Sequence, residues 1–225
     1  MSDLTKCSIQ NSTDSRLHSE PKRSSTVSES TFSAVVGLSV ISWSALGLIA
    51  SEGVENITSV RICITVLHLA VGVCFLIRSP LVKSGTLRGT AATLPSLLIC
   101  GIAFAVAPPA NTWSLAAQFI FACGTFVAVV SVFTLGRSFA VLPALREIVA
   151  TGPYHFVRHP IYFGEMLMVV GCFIAKPTGL TLLPLLVALP CLVVRVLAEE
   201  SLLRESERYR DYARRVPWRL IPGVW

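Results

Sequence analysis

The fold class this sequence predicts is all-α, a polytopic membrane bundle of about six transmembrane helices, and three observations predict it. Of the 225 residues, 53% are hydrophobic and only 14% charged, where an ordinary soluble domain carries about 25% charged residues. The apolar residues come in long uncharged blocks joined by short polar connections, as spans of hydrocarbon require. The basic residues gather in alternate connections, the pattern that orients a chain in a bilayer. A net charge of +6 is therefore read as meeting anionic lipid head groups, and no nucleic-acid partner is expected.

Residues 1–31 are rich in Ser and Thr, mix both signs of charge and show no hydrophobic period. That composition cannot bury a core and predicts a disordered cytosolic tail. Residues 32–133 hold four apolar blocks, Phe32–Ser51, Thr58–Ile77, Ala91–Ala107 and Trp113–Phe133. Residues 134–225 form a second region with blocks five and six, Ile161–Ala175 and Leu180–Ala198. Pro177-Thr178-Gly179 makes a tight turn between these two, so they read as a helical hairpin. Blocks three and five are short for a bilayer, which needs about 20 helical residues.

Loop charges fix the topology if all six blocks span. Connection 78–90 carries Arg78, Lys83 and Arg88 with no acid, and connection 134–160 carries Arg137, Arg146 and Arg158 against Glu147. The C-terminal segment carries seven Arg against five acids, whereas the opposite loops hold Glu52, Glu55 and Lys176. All strongly basic connections then share one side, which predicts both termini and the active site in the cytosol. Six of the seven Cys lie in apolar blocks and no Cys-x-x-Cys pair occurs. Neither a disulfide framework nor a metal site is expected.

Chemistry concentrates in Thr151–Glu165, where an Arg, two His, two Tyr, two Pro and a Glu enter block five. Ionisable groups entering a span cost free energy, so this stretch is a functional-site candidate. Arg61, at the end of block two, can snorkel, and His68 in the same block reads first as a packing residue. Glu165 is expected to point into a polar cavity. Beyond block six, Arg195 and Glu199 are i and i+4 on one helical face. That helix is expected to run on through Tyr209 and Tyr212 to Pro217. The Trp218–Trp225 segment then folds toward the bilayer interface.

Gly152-Pro153-Tyr154 followed by Arg158-His159-Pro160-Ile161-Tyr162-Phe163-Gly164 forms one motif. Arg195 with Glu199-Glu200-Ser201-Leu202-Leu203, Tyr209, Tyr212, Pro217 and Pro222 forms a second. Together, over residues 130–225, they resemble the isoprenylcysteine carboxyl methyltransferase and phospholipid methyltransferase-like family of integral membrane methyltransferases, in its bacterial form. The resemblance implies S-adenosylmethionine as cofactor, bound by Tyr154, His159, Pro160, Tyr162 and Glu199, with backbone contacts from the segment that includes Ile148 and Val149. It implies Arg195 on the substrate, a lipophilic methyl acceptor entering from the bilayer. Arg146 and Leu135-Gly136-Arg137-Ser138-Phe139 depart from the eukaryotic pattern.

A carboxylate acceptor is already a nucleophile, and Arg195 would hold it bidentately. That favours O-methylation of the isoprenylcysteine kind. A lipid amine would instead need a base, for which Glu200, Glu165 and His159 are candidates. Membrane sterol reductases that use NADPH share a similar C-terminal pattern and form the alternative enzyme class. No internal repeat of spans points to a transporter.

Overall fold

Seven helices carry the described chain, and six of them coincide with the apolar blocks. The computed structural model describes residues 23–49, 57–79, 83–84, 87–141, 144–145 and 148–225. The helices are α1 (Arg23–Ile49), α2 (Ser59–Ile77), α3 (Leu87–Ala105), α4 (Leu115–Leu135), α5 (Pro160–Ala175), α6 (Gly179–Leu203) and α7 (Glu207–Arg215). A two-residue antiparallel pair, β1 (Lys83–Ser84) and β2 (Ala144–Leu145), ties the two connections on one end of the bundle. Residues 30–49, 59–77, 115–138 and 179–203 form helices long and apolar enough to cross a membrane, and 91–105 and 160–175 are shorter apolar helices. This is the architecture of an integral membrane protein. Helix α1 begins at Arg23, inside the segment expected to be disordered, and residues 1–22 lie outside the described residues.

Local chemistry sets the helix ends. Thr58, Ser114 and Thr178 cap α2, α4 and α6 by accepting from backbone N–H groups of their first turns, which satisfies donors that lipid cannot. Gly136, with φ 48°, ends α4 in a conformation that favours glycine. Within α4 the hydroxyls of Thr125, Ser131 and Thr134 donate to carbonyls four residues back, so no hydroxyl there needs water.

Helix α4 packs on α5, α1 on α2, α3 on α6 and α2 on α4. The α4–α5 contact is backbone to backbone. A Cβ on Gly164 would lie 2.6 Å from the Gly124 carbonyl oxygen and 2.9 Å from the Ala128 nitrogen. Small residues allow such approach in a membrane bundle. The motif glycine is therefore a packing residue. Gly164→Leu is expected to separate the two helices and lower the thermal midpoint in detergent. An unchanged midpoint would show that the contact is dispensable.

The helix expected to continue from Glu199 to Tyr212 is broken. After Leu203 the chain tightens, with Glu205 and Ser206 N–H groups donating to the carbonyls of Leu202 and Leu203. Helix α7 then restarts and turns Tyr209 and Tyr212 inward. The C-terminal segment does not lie on the bilayer edge alone. Its Trp218 and Arg219 carbonyls accept from the Arg158 and His159 N–H groups, both at 2.9 Å, and Leu220 packs with Tyr162, Leu192 and Val196. These contacts satisfy two donors just before α5 that no helix could satisfy.

Candidate active site

The ends of α2, α4 and α6 and the start of α5 meet at one end of the bundle. Ser79 N–H donates to the Arg137 carbonyl at 2.8 Å, joining the ends of α2 and α4. Beneath this junction lies a cavity of about 280 Å³. Its polar end is lined by Tyr154, Arg158, His159, Tyr162, Glu199 and Tyr209, and its apolar end by Leu67, Val71, Leu97, Val132 and Met168. Concave sites with a few convergent polar groups on apolar walls are the usual form of small-molecule sites.

The motif residues build the polar end from both strands of the hairpin. Tyr162, two residues into α5, donates its hydroxyl to Glu199 Oε2 at 2.5 Å. His159 Nδ1 is 3.9 Å from the same oxygen, and His159 Nε2 meets Glu200 Oε1 at 3.3 Å. The His159 ring stacks on Tyr162 at 5.5 Å, and the Arg195 guanidinium lies 4.3 Å over the Tyr162 ring. Tyr162 is thus engaged through its hydroxyl and its ring alike. Tyr212 donates to the Tyr154 carbonyl at 2.7 Å, and these two pack with Tyr209, Ile148 and Val149. Burial pushes the phenols of Tyr154, Tyr209 and Tyr212 well up, so all three remain neutral donors near pH 7.

Of the residues expected to bind cofactor, Ile148, Val149, Tyr154, His159, Tyr162 and Glu199 line this cavity. Pro160 does not. It is fully buried as the first residue of α5, where its missing N–H costs nothing. Arg146 and Glu147 lie outside the described residues. Arg195 lines the cavity but does not arrive free. Its Nη1 meets Glu165 Oε2 at 3.1 Å and Ser96 Oγ at 3.4 Å, and its Nη2 donates to the Val141 carbonyl at 3.3 Å. Glu199, its i+4 neighbour, pairs instead with Tyr162.

Glu200, expected as a possible base, is placed away from the cavity lining. It is 2% exposed and receives Arg158 at 2.7 Å, Arg219 at 3.2 Å and Arg204 at 3.3 Å, besides His159. A carboxylate held by three guanidinium groups is a structural hub and a poor proton acceptor. His68, read from the sequence first as a packing residue, lines the cavity from α2. Its one signal was an ionisable ring in an apolar block. No cluster of metal-ligating side chains occurs among the described residues.

Two features mark the polar end as built for a ligand. The Tyr209 hydroxyl and the Arg158 guanidinium lie buried beside each other, and neither the hydroxyl nor the Arg158 Nε makes a well-formed hydrogen bond; such donors cost free energy unless something accepts from them. Opposite in charge, Glu199 presents a half-buried carboxylate. The cavity therefore suits a molecule carrying both an anionic and a cationic group.

A family model described as phospholipid methyltransferase matches residues 112–210, from the start of α4 into α7. The Delta(14)-sterol reductase of Mus musculus is 34% identical over 86 residues, 36% of this chain and 20% of that protein. The chain thus spans about one fifth of the length of that relative. Over residues 112–210 the chain is thus similar to the phospholipid methyltransferase family, part of the wider group that includes the isoprenylcysteine carboxyl methyltransferases.

Proposed function

We propose that this protein is a membrane methyltransferase that binds S-adenosylmethionine in the cavity and methylates a lipophilic acceptor. The observation that carries the reading is one cavity joining a polar end, with Glu199 and the buried Tyr209 and Arg158 donors, to an apolar end among α2, α3 and α4. The residues present fit the cofactor. Glu199, fixed by Tyr162, would hold its ammonium, and Arg158 with Tyr209 would donate to its carboxylate. Tyr154, Ile148 and Val149 would flank the adenine. When bound, S-adenosylmethionine supplies a methyl group on a sulfonium, a reactive leaving group, so the chain's task is mainly to orient donor and acceptor. The apolar end would admit the lipid chain of the acceptor from the bilayer. The basic connections favour the cytosolic side for this end of the bundle and for the termini.

The sequence-level preference was a carboxylate acceptor held by Arg195, and the buried, unpartnered Nε of Arg195 supports it. The ion pair with Glu165 supports the other reading, a lipid amine, because the guanidinium charge is already answered. The similarity to a sterol reductase keeps NADPH as the competing cosubstrate.

The test is calorimetry on purified protein in detergent, titrated separately with S-adenosylmethionine and NADPH. Saturable binding of the first alone is expected, and Glu199→Gln should weaken it about tenfold or more, the effect of losing a charge-assisted hydrogen bond. Saturable binding of NADPH alone would overturn the methyltransferase reading, and unchanged affinity in Glu199→Gln would remove Glu199 from the cofactor site.

A further inference from the structure

Glu165 stands outside the group that would hold the donor. It lies on α5 within the cavity lining, on the side of Arg195. Its Oε2 is bound by Arg195 at 3.1 Å, while its Oε1 has no hydrogen-bond partner among the described residues. The side chain is 20% exposed, and that of Arg195 is 4% exposed. The Arg195 position is over-determined, by Glu165, Ser96, the Val141 carbonyl and the Tyr162 ring. Arg195 therefore does not swing away when an acceptor enters.

We propose that Glu165 decides which acceptor is methylated: by neutralising Arg195 it makes the cavity select a lipid amine, and without it Arg195 is free to take a carboxylate. This rests on the methyltransferase reading above. A carboxylate entering the wild-type cavity meets Glu165 and Glu199 against one guanidinium that is already paired, and like charges in a site of low dielectric repel strongly. An ammonium meets Glu165 Oε1, an open acceptor of opposite charge. The pairing with Arg195 fixes the free oxygen of Glu165 in place.

The step balances with these groups alone. The lipid ammonium gives one proton to Glu165 Oε1, and the freed nitrogen lone pair forms the bond to the methyl carbon. The bond between that carbon and sulfur breaks onto sulfur, leaving a neutral thioether. The product departs as a methylammonium, and Glu165 returns its proton to water at the polar end.

The experiment supplies methyl-labelled S-adenosylmethionine to wild type, Glu165→Gln and Glu165→Asp. Each receives two acceptors in mixed micelles, phosphatidylethanolamine and a long-chain fatty carboxylate. Label on nitrogen is stable to base, whereas label in a methyl ester is released. Wild type should label the amine, and Glu165→Gln should lose about a hundredfold of that activity and gain at least about tenfold on the carboxylate. Glu165→Asp, which keeps the charge, should keep the preference for the amine at a lower rate. Calorimetry should show S-adenosylmethionine affinity within about threefold in all three proteins, which a general loss of fold would not allow. Base-labile label from the wild type, an unchanged ratio of acceptors in Glu165→Gln, or a lost preference in Glu165→Asp overturns the proposal. So does a wild type that binds the cofactor and labels neither acceptor. A wild type that fails to bind S-adenosylmethionine overturns the methyltransferase reading itself, and this proposal with it.

Discussion

Glu200→Ala is expected to destabilise the protein by about 3–5 kcal/mol, the usual cost of breaking a buried ion pair from one side. Glu200 gathers Arg158, Arg204, Arg219 and the His159 ring around a single carboxylate. Cations outnumber it three to one by guanidinium alone, so its removal leaves Arg158, 7% exposed, as a buried charge with no answering anion. The loss propagates along the chain. Arg219 would no longer be drawn inward, and the C-terminal segment would lose the charge that holds it against residues 158–159. Thermal unfolding in detergent, followed through Trp218 and Trp225 fluorescence, should show a midpoint lower by about 6 °C or more. Glu200→Gln, which keeps shape but not charge, should fall in between. If both variants melt with the wild type, the hub contributes nothing to stability. If Glu200→Gln keeps stability and loses turnover selectively, the residue acts in chemistry after all.

Arg195→Ala should abolish methyl transfer, by about a hundredfold or more, while leaving cofactor binding largely intact. Under either acceptor reading Arg195 positions the reacting group, directly for a carboxylate or through Glu165 for an amine, and misplacement of about 1 Å costs that much. Truncation also strands Glu165 in the cavity wall and removes the cation over Tyr162. A double variant, Arg195→Met with Glu165→Leu, removes both charges together and should recover stability without recovering turnover. Equal loss of S-adenosylmethionine affinity in Arg195→Ala would transfer this residue from the acceptor side to the donor side.

The helices were legible in the sequence because apolar blocks of span length have few alternatives in lipid, and α2 to α6 begin and end within a few residues of them. The hairpin of α5 and α6 and the convergence of both motifs followed from the Pro177–Gly179 turn and the charge of the loops. What was not legible depends on which partner a side chain chooses. Spacing placed Arg195 and Glu199 on one face, but the fold offers Arg195 a carboxylate from α5 and gives Glu199 the Tyr162 hydroxyl. Adjacent glutamates of identical composition were separated by roughly a quarter-turn of helix, one into the cavity and one into a cluster of cations. The inward fold of the C-terminal segment was hidden for a related reason. It satisfies backbone N–H groups at 158 and 159, and no side-chain pattern advertises that need.

The glycine contact between α4 and α5 makes the cavity mechanically unequal. Gly124 and Gly164 set backbone on backbone, and such a contact yields far less than side chains do. Ala128 and Val132 on one helix and Ile161, Tyr162 and Glu165 on the other are therefore held at a spacing that mutation of neighbouring side chains will hardly alter. The opposite boundary, Leu67 and Val71 of α2 and Leu97 of α3, is made of flexible aliphatic side chains. Changes in the length or bulk of the accepted lipid should accumulate there, so that directed evolution for new acceptors would begin with the soft boundary and leave the rigid one untouched.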